Sequence, residues 1–300
     1  MCVTCGCSGD GEIKITNLQE DNLAEVGANN HHHHHTHTLD DGTVITHSHE
    51  SDHTHTLADG TVITHTHTPS NLPNQQASKI HAQMHGTTIS LEQDILAKNE
   101  LIAAQNRGWF KGRNILALNL VSSPGAGKTT LLTRTINDLK DKLVINVIEG
   151  DQETANDAQK IQATGCKVVQ INTGTGCHLD ANMVEKGYSE LNPPLNSVVM
   201  IENVGNLVCP ALFDLGENAK VAILSVTEGE DKPIKYPHMF RASQVMILNK
   251  TDLLPYVQFD VDCCLDYAKR VNPEIRIFQV SATTGAGLAD WYEWLIFNSK

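Results

Sequence analysis

Residues 87–300 of this 300-residue chain predict an α/β domain built on a doubly wound, mostly parallel sheet. Two observations carry that expectation. Apolar runs of strand length alternate with amphipathic stretches of helical length, as in parallel strands joined by helices. The first of those runs leads straight into a glycine-rich turn that opens a helix. Two stretches of different character come first: residues 1–30, a cysteine cluster and then a polar, acidic segment, and residues 31–86, a low-complexity region rich in His and Thr.

The His-rich stretch contains a repeat. His35-Thr-His37-Thr-Leu-Asp-Asp-Gly42-Thr-Val-Ile-Thr-His47-Ser-His49 recurs as His53-Thr-His55-Thr-Leu-Ala-Asp-Gly60-Thr-Val-Ile-Thr-His65-Thr-His67. Asp-Gly between β-prone runs is a hairpin signal, so each unit predicts a short hairpin with His-x-His at both open ends. An isolated hairpin is marginal in water, so disorder is expected without metal. Asn71, Pro73 and Gln75 read as linker.

Ser90 to Gln105 predicts a helix, capped by Ser90 with Gln93 closing a capping box, and with Leu91, Ile95 and Ile102 on its apolar face. Strands are expected at 115–121, 143–148, 167–171, 198–201, 221–226, 245–248 and 276–280, with intervening helices such as 129–140, 155–163 and 260–271. The hydrophobic fraction is 40% with only 5% aromatics, so the core should be aliphatic. A formal charge of -13 without a Lys/Arg cluster argues against nucleic-acid binding. There is no apolar run of membrane-spanning length, and Met1–Asp10 lacks the charged start and apolar centre of a secretory signal. A cytoplasmic protein is expected, with its eight cysteines as thiolates or core residues.

Ser122-Ser123-Pro-Gly125-Ala126-Gly127-Lys128-Thr129-Thr130 has the composition of a P-loop. Gly125 and Gly127 let backbone N–H groups turn toward phosphate oxygens, and the helix N-terminus adds its dipole. Lys128 is expected on the β- and γ-phosphates and Thr129 on Mg2+. Ser122 stands where a glycine is usual. Asn249-Lys250-Thr-Asp252 closes a later strand; an aspartate there can accept both N1–H and N2–H2 of guanine, a donor pair adenine lacks. Ser281-Ala282 follows another strand, where a base-contacting loop belongs. Together these favour GTP. Glu202-Asn-Val-Gly205 places a carboxylate for Mg2+ and a glycine to sense the γ-phosphate. Asp151, at the C-terminal edge of its strand, either coordinates Mg2+, positions the attacking water, or caps a helix.

Three groups could hold metal. Cys2, Cys5 and Cys7, with the amine of Cys2 if Met1 is removed, offer a square-planar field that Ni2+ accepts. His35, His37, His47, His49, His53, His55, His65 and His67 form a weak, multivalent store for Ni2+ or Zn2+. Cys177-His178, in a glycine-rich loop, and Cys209, beyond Gly205, are either a third ligand set, left open for a partner to complete, or small buried hydrophobes. Cys166, Cys263 and Cys264 read as structural. A metal-storage protein with a nucleotide-sensing domain is the rival to a GTP-driven switch.

The runs Ser122–Thr130, Glu149-Gly-Asp-Gln, Thr173-Gly-Thr-Gly-Cys177-His178, Glu202-Asn-Val-Gly-Asn-Leu-Val-Cys209-Pro, Thr227-Glu-Gly-Glu-Asp-Lys-Pro and Asn249–Asp252 resemble the hydrogenase nickel-incorporation GTPases, the HypB family, over about residues 88–298. The N-terminal cysteines and His-rich insert resemble particular forms of that family. The resemblance implies a GTP-hydrolysing nickel metallochaperone that helps load the large subunit of nickel–iron hydrogenase. It also implies a partner metallochaperone, HypA, a nucleotide- or metal-dependent homodimer, and a Ni2+ or Zn2+ site at Cys177, His178 and Cys209 near the dimer interface. A related GTPase serving another nickel enzyme, such as urease, is the alternative within that class.

Overall fold

The computed structural model describes residues 14–17, 35–38, 44–47, 53–56, 62–65, 94–151, 156–174 and 176–300. Cys2, Cys5, Cys7, His49, His67 and the Ser90–Gln93 cap lie outside the described residues. The chain divides into two units, residues 22–87 and the remainder.

In the first unit, β2 (His35–Thr38) pairs antiparallel with β3 (Val44–His47), and β4 (His53–Thr56) with β5 (Val62–His65). The register sets His35 opposite His47 and His53 opposite His65. Each Asp-Gly thus falls between paired strands, as the hairpin signal requires.

The second unit is an eight-stranded sheet. Its strands are β1 (Lys14–Asn17), β6 (Leu116–Ser122), β7 (Ile145–Asp151), β8 (Lys167–Asn172), β9 (Val198–Glu202), β10 (Ala219–Ser225), β11 (Val245–Asn249) and β12 (Arg276–Gln279). Their order is β1-β8-β7-β9-β6-β10-β11-β12, parallel throughout except for β1, which runs antiparallel to β8. Succession reverses direction around β6, so the crevice beyond its C-terminal end is where such sheets bind ligands. All seven residues of β6 are buried, the mark of a central parallel strand covered on both faces.

The helices are α1 (94–112), α2 (Lys128–Leu139), α3 (Asn156–Gln162), α4 (Ala181–Leu191), α5 (Lys232–Lys235), α6 (Pro237–Ala242), α7 (Val261–Val271) and α8 (Leu288–Asn298). On one face Leu132 and Ile136 of α2 and Trp291 and Leu295 of α8 pack on Leu118, Val147, Met200 and Ile247. On the other, Phe110 of α1 and Val184 and Tyr188 of α4 cover Ile148, Ile171 and Ile201. Each such fully buried side chain contributes about 1.5–3 kcal/mol. Among the described residues no helix is long and apolar enough to cross a membrane.

Three features depart from the sequence-based expectation. The helix expected to end at Gln105 runs on to 112, past Gly108, because Phe110 is buried and Trp109 stacks on Tyr188 at 4.0 Å; packing outweighs the local cost of glycine. Strand β7 extends beyond Ile148 to Asp151, since Glu149-Gly150-Asp151 pairs with β8 and Gly150 lies under Leu179, whose Cγ would be 2.7 Å from an added Cβ. Lys14–Asn17, in a segment with no strand signal, adds an edge strand with Ile15 packed against the core.

Candidate functional site

Strand β6 ends at Ser122, and the loop to Lys128 turns with positive φ at Gly125 (76°) and Gly127 (93°). A Cβ on Gly127 would come within 2.7 Å of Asn249 Nδ2, so only glycine fits. Lys128 Nζ donates to Ser122 Oγ at 2.9 Å, while that hydroxyl donates to Ser123 O at 2.6 Å. The serine in the usual glycine position therefore holds the P-loop lysine in place.

Thr129 Oγ1 donates to Glu202 Oε1 at 2.7 Å. Glu202 pairs in register with Glu149 on the neighbouring strand, and both carboxyls are buried. Burial pushes Glu202 up to about 7, against the pull of Lys128. Burial, with Glu202 and Asp151 adding repulsion, pushes Glu149 up to about 9. Burial lowers Lys128, with Glu202 chief among the carboxylates opposing it. Oε2 of Glu149 and Oε2 of Glu202 are buried without a hydrogen-bond partner. A hydroxyl and orphaned carboxylate oxygens at a P-loop helix are hard donors that fit Mg2+. Asp151 is the last residue of β7, at the C-terminal edge of the sheet beside Glu149 and Glu202.

Asn249 ends β11 and braces two loops: its Nδ2 donates to Ala126 O at 3.0 Å and its Oδ1 accepts from Ala282 N at 3.2 Å. Lys250, at φ 61°, donates to Gly125 O at 2.7 Å. Ser281 and Ala282 are buried beside them, and Thr130 is exposed on α2. Asp252 Oδ1 is buried without a partner, an acceptor suited to guanine N–H groups. Lys232 Nζ lies 3.4 Å from Ser123 Oγ and 3.7 Å from Glu228 Oε2. Sequence reasoning did not pick it as a site residue, although its run, Thr227–Pro233, was among those carrying the resemblance.

The cysteine–histidine loop follows β8. Thr173 folds it by accepting Gly176 N at 2.8 Å through its carbonyl and donating its hydroxyl to Gly176 O at 2.8 Å. Cys209 starts a 3-10 turn, Cys209–Ala211. Cys177 Sγ lies 2.9 Å from Cys209 Sγ and 3.6 Å from His178 Nδ1, and all three ligand atoms lie within 4.8 Å of one another. His178 and Cys209 are buried and Cys177 is half-buried. The Phe213 ring covers the imidazole at 3.9 Å. Burial lowers the His178 pKa against the opposing charge of Asp180, favouring the neutral, ligating form. Two sulfurs and an imidazole nitrogen suit Zn2+ or Ni2+. Among the described residues this is the one Cys/His/Asp/Glu cluster with ligand-like spacing.

One short segment joins the two sites. A Cβ on Gly205 would sit 3.1 Å from Pro124 of the P-loop. Asn206 Nδ2 donates to Cys177 O at 3.4 Å, and Asn206 Oδ1 accepts Val208 N at 2.8 Å.

A P-loop braced by an Asn-Lys-x-Asp strand end, joined through one segment to a buried cysteine–histidine cluster, defines a nucleotide-binding α/β protein with a metal-ligand site. Residues 116–279 match the family described as CobW/HypB/UreG, nucleotide-binding domain. The chain is 58% identical over 207 residues to the hydrogenase maturation factor HypB of Escherichia coli (strain K12), covering 69% of this chain and 71% of that protein. It is 59% identical over 207 residues to the factor from Rhizobium leguminosarum bv. viciae, covering 69% of each. Among solved structures, HypB from Archaeoglobus fulgidus superposes with a TM-score of 0.64 at 35% identity, covering 68% of this chain and all 100% of that one. HypB from Helicobacter pylori in complex with nickel gives 0.63 at 36% identity, covering 67% of this chain and 95% of that one. The chain belongs to the CobW/HypB/UreG family, and within it to the hydrogenase maturation factors HypB.

Proposed function

We propose that this hydrogenase maturation factor is a GTP-hydrolysing nickel metallochaperone whose nucleotide state sets metal affinity at Cys177, His178 and Cys209. The observation that supports it is the stretch from Glu202 to Cys209, which touches both sites: Glu202 on Thr129, Gly205 on Pro124, Asn206 on Cys177 and Cys209 on Cys177.

In this reading the N–H groups around Gly125 and Gly127 and the Lys128 ammonium cradle the β- and γ-phosphates. Asp252 selects guanine. Thr129, Glu202 and Asp151 would hold Mg2+, which neutralises phosphate charge when bound. Hydrolysis removes the γ-phosphate contact at Gly205 and releases the segment, so Cys209 shifts against Cys177. By linkage, metal then changes nucleotide affinity by the same factor. Turnover is slow, since among the described residues none around the P-loop serves as an arginine finger. Ni2+ is the cargo, Zn2+ a competitor, and Cys2, Cys5, Cys7 and the histidine repeat hold further metal. Recipients are a HypA-type metallochaperone and the hydrogenase large subunit, and a second copy of the chain completes the metal shell.

The test is hydrolysis of GTP and of ATP by wild type and Lys128→Ala, with Ni2+ or Zn2+ titrated in. GTP-only turnover that is lost with Lys128 and changed by metal is expected. Turnover indifferent to metal leaves a storage protein with a nucleotide sensor.

A further inference from the structure

Four buried polar side chains connect to backbone groups adjacent to the cysteine–histidine cluster. Asn119 is 0% exposed, Asn203 1% and Lys220 5%. The Glu217 side chain is 6% exposed. Burying four such groups is costly unless every one is bonded, and here they form a continuous chain. Lys220 Nζ donates to Pro210 O at 2.7 Å and Phe213 O at 3.2 Å and lies 3.7 Å from Glu217 Oε1. Two of the ammonium's three protons go to backbone carbonyls, and the nearby Glu217 carboxylate balances its charge. Glu217 accepts Asn119 Nδ2 at 3.1 Å and Leu215 N at 2.7 Å. Asn119 Oδ1 accepts Asn203 Nδ2 at 3.2 Å. Asn203 Oδ1 accepts Leu179 N at 3.1 Å and Val204 N at 3.0 Å.

The direction of this chain is set at both ends. Two backbone N–H groups require the oxygen of Asn203 to face them, and the Glu217 carboxylate can only accept. Both amide orientations follow, and neither is free to flip. The chain's ends meet opposite halves of the metal cluster. Lys220 grips the carbonyl next to Cys209 and that of Phe213, whose ring lies on His178. Asn203 grips the backbone N–H next to His178 and adjoins Glu202, which reaches Thr129. No group in the chain is itself a ligand.

We infer that Lys220, Glu217, Asn119 and Asn203 are positioning residues that hold the Cys209 turn and the Cys177–His178 loop at ligand spacing. Lys220 is the clamp on the Cys209 half. The inference rests on the proposed metal site at Cys177, His178 and Cys209. Removing the ammonium frees Pro210 O and Phe213 O, lets the Cys209 turn drift and uncovers His178, while the P-loop keeps its own contacts.

The experiment uses the full chain with Cys2, Cys5 and Cys7 replaced by Ser, titrated with Ni2+ and followed by thiolate-to-nickel absorption. GTP affinity and the thermal midpoint are measured alongside. Lys220→Met is expected to weaken Ni2+ binding at least tenfold and to alter the absorption band at saturation, with GTP affinity within about twofold of the parent. Glu217→Gln keeps the shape but loses the charge that anchors the ammonium; a smaller loss in the same direction is expected, and it serves if Lys220→Met does not fold. A role in stability alone would lower the midpoint and leave both affinity and band unchanged well below it; that result overturns the inference. A parent that shows no thiolate-to-nickel band on titration would instead sink the proposed metal site itself, since the histidine repeat contributes no thiolate.

Discussion

Gly205 stands against Pro124 so closely that a β-carbon on it would lie 3.1 Å from both the Cα and the Cγ of the proline. This contact joins the P-loop to the segment that ends at Cys209. Gly205→Ala must push the two apart by a few tenths of an ångström, since a proline's backbone and ring have little give. GTP hydrolysis is expected to fall by about tenfold, or about 1.4 kcal/mol of barrier. The ratio of Ni2+ affinities between GTP-analogue and GDP forms should move toward one. Phosphate release and a metal titration in each nucleotide state check this; an unchanged ratio would separate Gly205 from the coupling.

Asp252 offers a buried carboxylate oxygen with no protein partner, next to an Asn249 whose amide is engaged by Ala126 and Ala282. Base selection should therefore rest on Asp252. Asp252→Asn is expected to cost about 3 kcal/mol of GTP binding, because the new amide N–H faces guanine donors. It should also admit xanthine nucleotides, whose 2-oxo group accepts that N–H. Competition between GTP and XTP for the variant is the measurement, and retained GTP preference is the outcome that sinks the assignment.

The sheet was legible because its parallel strands are buried on both faces and read as apolar runs, as at Leu116–Ser122. The Asn-Lys-x-Asp and glycine-rich turns were legible because phosphate and base chemistry demand few residue types at fixed spacing. Spacing could not decide whether Cys177 and Cys209 were ligands or packing residues: they lie on different connections, and the fold alone brings their sulfurs to 2.9 Å. Lys14–Asn17 carried no strand signal, since an edge strand owes its place to the partner it pairs with. Buried polar residues such as Asn119 and Lys220 also gave no warning, because inside an apolar run they look like interruptions of a strand.

Asn106 ties α1 to the rest of the domain. Fully buried, it donates from Nδ2 to Ala181 O at 2.8 Å and Leu215 O at 3.0 Å, and accepts Tyr188 OH at 3.1 Å. Asn106→Ala strands two carbonyls and a hydroxyl away from water, and should destabilise by about 2–4 kcal/mol. Urea unfolding checks the size. A loss below about 1 kcal/mol would mean that water replaces the amide and that α1 is held by the packing of Trp109 and Phe110 and by the Asn99 hydrogen bonds to Asp214 O and Ala181 N.

Glu149 gives the ligand-free protein a pH dependence of definite sign. Its carboxyl, ordinarily near 4.5, is pushed up to about 9 by burial and by the neighbouring carboxylates Glu202 and Asp151. Between those two values the folded state keeps a proton that the unfolded chain has released, so the folded state binds more protons and stability falls as pH rises. Glu202, raised to about 7, adds the same sign over the lower part of the window. The urea midpoint, measured without nucleotide or Mg2+, should therefore decline from about pH 6 to about pH 9. Glu149→Gln keeps the size and hydrogen-bonding reach of the side chain but cannot ionise, so its midpoint should decline less over that range. Parallel curves for variant and wild type would show that Glu149 ionises alike in both states, and that the crowded carboxylates beside Thr129 relax apart instead of holding a proton.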